Sequence, residues 1–289
     1  MDADGNFVVA WVDGRASGLQ GDVRVRAFNA SGTPRTDALT VANSPKSEYD
    51  PDVAASNGSF VVSYTMDYSD TDWDVYAHRY TVAPHGEVSD AGSFPVATSG
   101  SYEYGASVAM APDGSFAIAY NFVTPSNLGD VLLNRYSPSG VSIAPGVVVA
   151  GTADGESSPD IAMDSAGNAV IAYRKYDPNT HEFDIKARRM SSSGAVGGEI
   201  NVRSTSRDED GPSVALAPTG GQFVVAYFVN GQTELAEVSA TDSVKAILGP
   251  VDGAEAVVSV DGLGRYTVTY QKFDAAGHLH IFRRRDFLS

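Results

Sequence analysis

Apolar positions along this chain fall into short runs, not helical stripes. Residues 7–11 read FVVAW, and an apolar run closed by an aromatic returns at 60–64 (FVVSY), 116–120 (FAIAY), 169–173 (AVIAY), 223–227 (FVVAY) and 266–270 (YTVTY). The interval is about 50 residues, the size of one supersecondary unit in a repeat architecture. Two residues ahead of each run stands a glycine: Gly5, Gly58, Gly114, Gly167, Gly221 and Gly264. Before that glycine comes a second apolar run, at 51–54 (PDVA), 106–109 (ASVA), 159–162 (PDIA), 212–215 (PSVA) and 255–258 (EAVV). These are strands A and B, and the glycine marks the hairpin turn between them, where positive φ is cheap only for Gly, Asn or Asp.

A third strand, C, opens on Asp22, Asp74, Asp130 and Asp184 and alternates apolar with polar, as a half-buried strand does. Ser-Gly pairs at Ser31 and Gly32, Ser139 and Gly140, and Ser193 and Gly194 then predict a turn into a weaker strand D, near 39–41, 94–96, 147–149, 200–202 and 246–248. No segment carries a helical period. Strands A and B are near-continuous small and β-branched runs, the mark of strands covered on both faces. A sheet that is dry inside and wetter outside is a propeller blade, packed between two neighbours and stable only with them.

The expected fold is therefore all-β: a single domain over 1–289, a six-bladed β-propeller of four-stranded antiparallel blades at about 1–47, 48–102, 103–155, 156–208, 209–251 and 252–289. The first and last blades are incomplete. Met1 aligns with Met163, which ends a strand A, and the residues after the last strand C are too few for a turn and a strand D. Either the chain is a segment of a longer protein, or two blades have three strands.

The unit P-[SD]-[VI]-A, then glycine, then a run closed by Trp or Tyr, then a strand opening D-[VI] and a Ser-Gly turn, resembles the repeats of secreted bacterial β-propellers, broadly similar to NHL-type blades. The resemblance covers the whole chain. It implies an extracellular or cell-surface setting, and it leaves function open, because one propeller architecture serves lectins, adhesins, scaffolds and enzymes.

Charge narrows the partners. The net charge of −16 repels nucleic acid and anionic membranes and suits cations, basic partners or neutral ligands such as sugars. The chain has no cysteine, hence no disulfide or thiolate chemistry, and no apolar stretch long enough for membrane insertion. Residues 1–5 (MDADG) do not read as a secretory signal. A monomer, or part of a longer chain, is expected.

Antiparallel order puts the D–A and B–C loops on one face, and these are the longer and more varied loops. An acid recurs there three residues ahead of each strand A: Glu48, Glu103, Glu156, Glu209 and Asp252. With strand A innermost, the five would ring a channel mouth, either as a cation or basic-ligand site or as acceptors for hydrogen bonds from the adjacent loop. Asp70, Asp72 and Asp74 have the opening spacing of a calcium loop, with hard oxygen ligands on alternate residues, although Val75 and Thr81 stand where that loop needs Gly and Glu. Calcium is thus the one cofactor expected. Trp73 and Tyr68 in the same loop, Phe122 in the third B–C loop, and Tyr176 and His181 in the fourth are candidate ligand contacts, through aromatic stacking on a sugar ring or packing on their own blade.

Sequence signatures of catalysis are absent: there is no GxSxG, HExxH, P-loop or dinucleotide motif, and of the histidines only His278 and His280 are close. The leading expectation is a non-enzymatic binding or adhesion module recognising a glycan or protein ligand on the B–C/D–A face. The alternatives are a carbohydrate-active hydrolase or lyase using channel-mouth carboxylates, and a purely structural repeat segment.

Overall fold

A computed structural model describes residues 4–14, 21–56, 58–83, 86–251, 253–274 and 276–287; Met1 and Asp252 lie outside these. Every regular element among the described residues is a β-strand. The chain divides into two compact units, Met1–Val148 and Val149–Ser289.

In the first unit, β1 (Phe7–Gly14), β2 (Gly21–Phe28) and β3 (Leu39–Ala42) form a three-stranded antiparallel sheet. β4 (Ser47–Ser56), β5 (Ser59–Ser69), β6 (Asp72–Val82) and β7 (Val88–Ala97) follow as a four-stranded meander, and β8 (Tyr102–Met110), β9 (Phe116–Val123), β10 (Asp130–Tyr136) and β11 (Ser142–Ala150) as another. One parallel pairing, Trp73 with Tyr102, links β6 to β8. The second unit repeats the plan. β12 (Glu156–Met163), β13 (Ala169–Asp177), β14 (Glu182–Met190) and β15 (Val196–Arg203) form one sheet, and β16 (Glu209–Leu216), β17 (Phe223–Val229), β18 (Gln232–Val238) and β19 (Val244–Val251) the next. β20 (Ala254–Val260), β21 (Arg265–Phe273) and β22 (Leu279–Phe287) form a three-stranded sheet. The outermost strands are longer than their weak sequence signal suggested, because their exposed residues carry no apolar pattern to read.

Local chemistry explains the repeat. The turn glycine has positive φ in every copy, for example +87° at Gly114 and +74° at Gly264. In the four central copies strand B is buried from end to end, as residues 116–120 and 223–227 show, while in the first and last it is only partly covered. Its first aromatic stacks on the aromatic paired with it across the sheet: Phe60 on Tyr80 at 4.6 Å between centroids, Phe116 on Tyr136 at 4.8 Å.

In three copies the Asp or Ser of the P-[SD]-[VI]-A motif ties its sheet to the following one within the same unit. Asp52 Oδ2 accepts hydrogen bonds from Ser107 Oγ (3.1 Å) and Val108 N (2.8 Å), and Asp160 Oδ2 accepts from Val214 N (2.6 Å). Ser213 Oγ does the same for Val258 N (3.2 Å). Each of these acceptors satisfies a donor on the neighbouring innermost strand that would otherwise be buried without a partner.

Strand A also carries a bulge the sequence did not announce. The register of β4, β8, β12, β16 and β20 shifts between Tyr49 and Asp52, Tyr104 and Ser107, Ser157 and Asp160, Asp210 and Ser213, and Ala254 and Val257. One residue in each shift is left-handed: Asp50, Gly105, Ser158, Gly211 and Glu255. A bulge re-aims the side chains next to it, and the residues it re-aims are the acids ahead of strand A and their neighbours.

Candidate functional sites

Glu48, Glu103, Glu156 and Glu209 stand just ahead of the bulge, and all are at most 2 % exposed. A hydroxyl four residues earlier donates to each carboxylate: Ser44 to Glu48, Ser99 to Glu103, Thr152 to Glu156 and Thr205 to Glu209. The backbone N–H groups of Ser44 and Thr152 add bonds of 3.0 Å. These acids therefore fasten the loop entering strand A and point into the fold. Burial raises the carboxyls of Glu103 and Glu209, and the hydrogen bonds from Ser99 and Thr205 work against it. Asp252, the fifth acid, is outside the described residues.

At the junction of β6 and β8, Asp72, Asp74 and Glu103 each bring a carboxylate oxygen within 4.8 Å of the other two. Asp74 is buried, and its carboxyl is pushed up to about 6 by that burial and then by the charges of Asp72 and Glu103. Asp72 Oδ1 and Glu103 Oε2 are buried and meet no donor. Asp70 is not part of this group: its backbone carbonyl accepts a 2.6 Å hydrogen bond from the Tyr102 hydroxyl. The expected set of Asp70, Asp72 and Asp74 is thus corrected. Asp72 and Asp74 share a face of β6 because they are two residues apart, and the third acid on that face comes from β8.

Trp73, on the opposite face of β6, packs edge to face with Tyr49 (5.9 Å), Tyr102 (5.2 Å) and Tyr104 (5.4 Å). It is a half-buried anchor of its own sheet junction. Tyr68 is exposed, with Lys46 Nζ 5.1 Å from its ring centre and 2.7 Å from its carbonyl. Phe122 pairs with Glu103 and Asp130 across β9 and packs on the core around Tyr120.

In the second unit, Tyr176 near the end of β13 and His181 in the loop before β14 are joined by a 2.8 Å hydrogen bond between the Tyr176 hydroxyl and His181 Nδ1. The chain then enters β14 through Glu182 and Phe183. Asp208, in the loop before β16, accepts a 3.0 Å hydrogen bond from Phe183 N. Its side chain hydrogen-bonds Glu182, and that bond raises the Glu182 carboxyl above its ordinary value, with the charge of Asp208 adding to the effect. Around this pair, Tyr176 meets Phe183 edge-on at 5.5 Å, and Arg174 lies 4.4 Å over the Phe183 ring while pairing with Asp210 at 2.9 Å. A carboxyl raised in this way keeps its proton to a higher pH than an isolated one. Glu182 and Asp208 were not anticipated. The available signal was the acid run Asp208, Glu209, Asp210, which no other strand-A entry matches.

No protein-family model matches this chain, and neither does any curated protein. Solved structures do match. A protein of unknown function from Dyadobacter fermentans is 12% identical with a TM-score of 0.65, covering 98% of this chain and 91% of its own. An α-L-arabinofuranosidase from Fusarium graminearum, in complex with an iminosugar inhibitor, is 12% identical with a TM-score of 0.64, covering 99% and 90%. An α-L-arabinanase from Penicillium chrysogenum, complexed with arabinobiose, is 12% identical with a TM-score of 0.59, covering 99% and 91%.

The chain has the β-propeller fold. The likeness goes against the expectation of a non-enzymatic binding or adhesion module: where an activity is stated, the propellers this chain resembles are enzymes acting on carbohydrates.

Proposed function

We propose that the protein is a carbohydrate-active hydrolase that cleaves a glycosidic bond at the carboxyl pair of Glu182 and Asp208. The observation that carries this reading is the meeting of the two carboxyls at the start of β14, where Phe183 N donates to Asp208 at 3.0 Å and the Asp208 side chain raises the neighbouring Glu182 carboxyl. Glycoside hydrolysis needs a protonated carboxyl beside the leaving oxygen. Glu182, the raised member, gives its proton to the glycosidic oxygen as the bond from the anomeric carbon to that oxygen breaks. Asp208, hydrogen-bonded to Glu182, holds the proton on Glu182 until transfer, and the water that adds to the anomeric carbon releases its proton to solvent. One water is consumed, and Glu182 is reprotonated from solvent.

The surroundings suit a sugar polymer. The pair lies near the protein surface, so a chain can reach it from outside. Phe183 and Tyr176 offer apolar ring surface, and Arg174, Asp210 and His181 offer hydrogen-bonding groups beside it. The acidic surface favours a neutral glycan over a polyanion. Arabinose-containing polysaccharides are the first substrates to test, given the ligands and activities of the similar structures, and an extracellular setting goes with such substrates.

The test is incubation of the purified chain with a panel of neutral polysaccharides, led by arabinan, with reducing ends measured over time. Release that falls by at least about a hundredfold in Glu182→Gln supports the reading. Release that is unchanged in both Glu182→Gln and Asp208→Asn, or none from any glycan, contradicts it.

A further inference from the structure

We propose that Asp72, Asp74 and Glu103 form a site for a divalent cation of the calcium class, held where β6 meets β8. Three carboxylate oxygens from two strands lie within 4.8 Å of one another. Among the described residues, no lysine, arginine or histidine pairs with any of the three carboxylates. Glu103 is 2 % exposed, and its Oε2 meets no donor, nor does the buried Asp72 Oδ1. Buried acceptors of this charge are paired or bind metal, because leaving them bare is costly.

The repeat shows what the position takes elsewhere. Tyr76 pairs across its sheet with Tyr64, and Lys186 pairs across its own with Tyr173, so the two occupy one position in the second and fourth copies of the unit. Two residues before them stand Asp74 and Asp184. In the second unit, Lys186 Nζ sits 2.9 Å from Asp184 Oδ2, and Ser204 Oγ donates to the same oxygen at 2.9 Å. A cation is therefore built into the later copy. In the earlier one, Tyr76 replaces the lysine while keeping its hydroxyl close enough to feel the charges of Asp74 and Asp72. Both copies carry three acids there, Asp72, Asp74 and Glu103 in the earlier and Glu182, Asp184 and Glu209 in the later, but the built-in cation is missing from the earlier one. An external ion supplies what Lys186 supplies in the later copy. All three ligands are hard oxygens with no imidazole or thiolate among them, which selects calcium or magnesium over zinc or copper.

The experiment uses the full chain stripped with EDTA and dialysed into chelator-free buffer. Calcium chloride is titrated calorimetrically, and melting is followed with and without calcium, with magnesium chloride as a parallel arm. Saturating calcium is expected to raise Tm by about 5 °C. Asp72→Asn, at a half-buried position that tolerates the change, is expected to weaken binding by at least about tenfold. Tyr76→Lys is expected to melt independently of calcium, because it carries its own ammonium group into the site. Absence of heat and of any Tm shift with either ion overturns the proposal. So does a calcium response that survives in Asp72→Asn and Tyr76→Lys alike, which would place the ion elsewhere. A magnesium response equal to that of calcium overturns the assignment to the calcium class. No glycan is present in these measurements, so their outcome is independent of the hydrolase reading.

Discussion

Asp52 Oδ2 accepts the backbone N–H of Val108 at 2.8 Å, joining the innermost strands of successive sheets. It also takes the Ser107 hydroxyl at 3.1 Å, and its carboxyl is raised by burial against the pull of these bonds. Because Ser213 fills the same role toward Val258 N, the motif position needs an acceptor of short reach more than it needs a charge. Asp52→Ala should therefore cost about 1–3 kcal/mol, since it strands a buried donor. Asp52→Ser should recover at least half of that loss. Urea unfolding of the three proteins measures both.

The bulge at the start of strand A gives a gain-of-stability prediction. Gly105 and Gly211 occupy its left-handed position at φ +60° and +55°, while Ser158 is held there at +55°. A non-glycine residue in that region costs about 1 kcal/mol or more. Ser158→Gly should raise unfolding free energy by about 0.5–1 kcal/mol after the glycine's added unfolded-state entropy is subtracted. Destabilisation would show that the Ser158 side chain contributes more than its backbone strain costs.

Strand B sets the scale for the core. Tyr173 is fully buried, and its hydroxyl bonds Glu199 Oε2 at 2.9 Å. Removing the ring in Tyr173→Ala should cost about 3–5 kcal/mol, whereas Tyr173→Phe keeps the packing and should cost about 1 kcal/mol. Thermal melts of the two variants distinguish ring packing from the hydrogen bond as the main term.

The Glu182 carboxyl is raised by its hydrogen bond with Asp208, so it stays protonated to a higher pH than an isolated glutamate. Carbon-13 NMR of the labelled side chain should find its titration above the ordinary range, returning toward that range in Asp208→Asn. In turnover, the sign is that of a general acid: kcat/KM falls as pH rises through the Glu182 titration. A Glu182 that titrates at the ordinary value in the wild type would remove the basis for its role as donor.

The fold was legible because strand B and its turn are governed by local rules: a continuous apolar run needs cover on both faces, and Gly114 and its equivalents need positive φ. The sites were legible only in part. Asp72 and Asp74 could be read as one face of a strand, but Glu103 joins them through pairing between sheets, which no spacing within the loop reveals. Asp70 looked equivalent to its neighbours by spacing, yet it lies in the turn ahead of β6, where alternation no longer fixes direction. Trp73 could be read either as stacking on a ligand or as packing on its own blade; it packs among tyrosines, because alternation turns it away from the face of Asp72 and Asp74. Glu182 and Asp208 escaped notice because each is an ordinary acid in sequence, and only the fold brings the start of β14 against the loop before β16.

Hydrolysis is tested most directly by incubating the wild-type chain with the glycan it degrades best in water enriched with heavy oxygen, then weighing the released sugars by mass spectrometry. Label at the new reducing end, with no labelled product from Glu182→Gln, is the predicted result. Unsaturated products without label, or no products from any glycan, would contradict cleavage by water at the Glu182 and Asp208 pair.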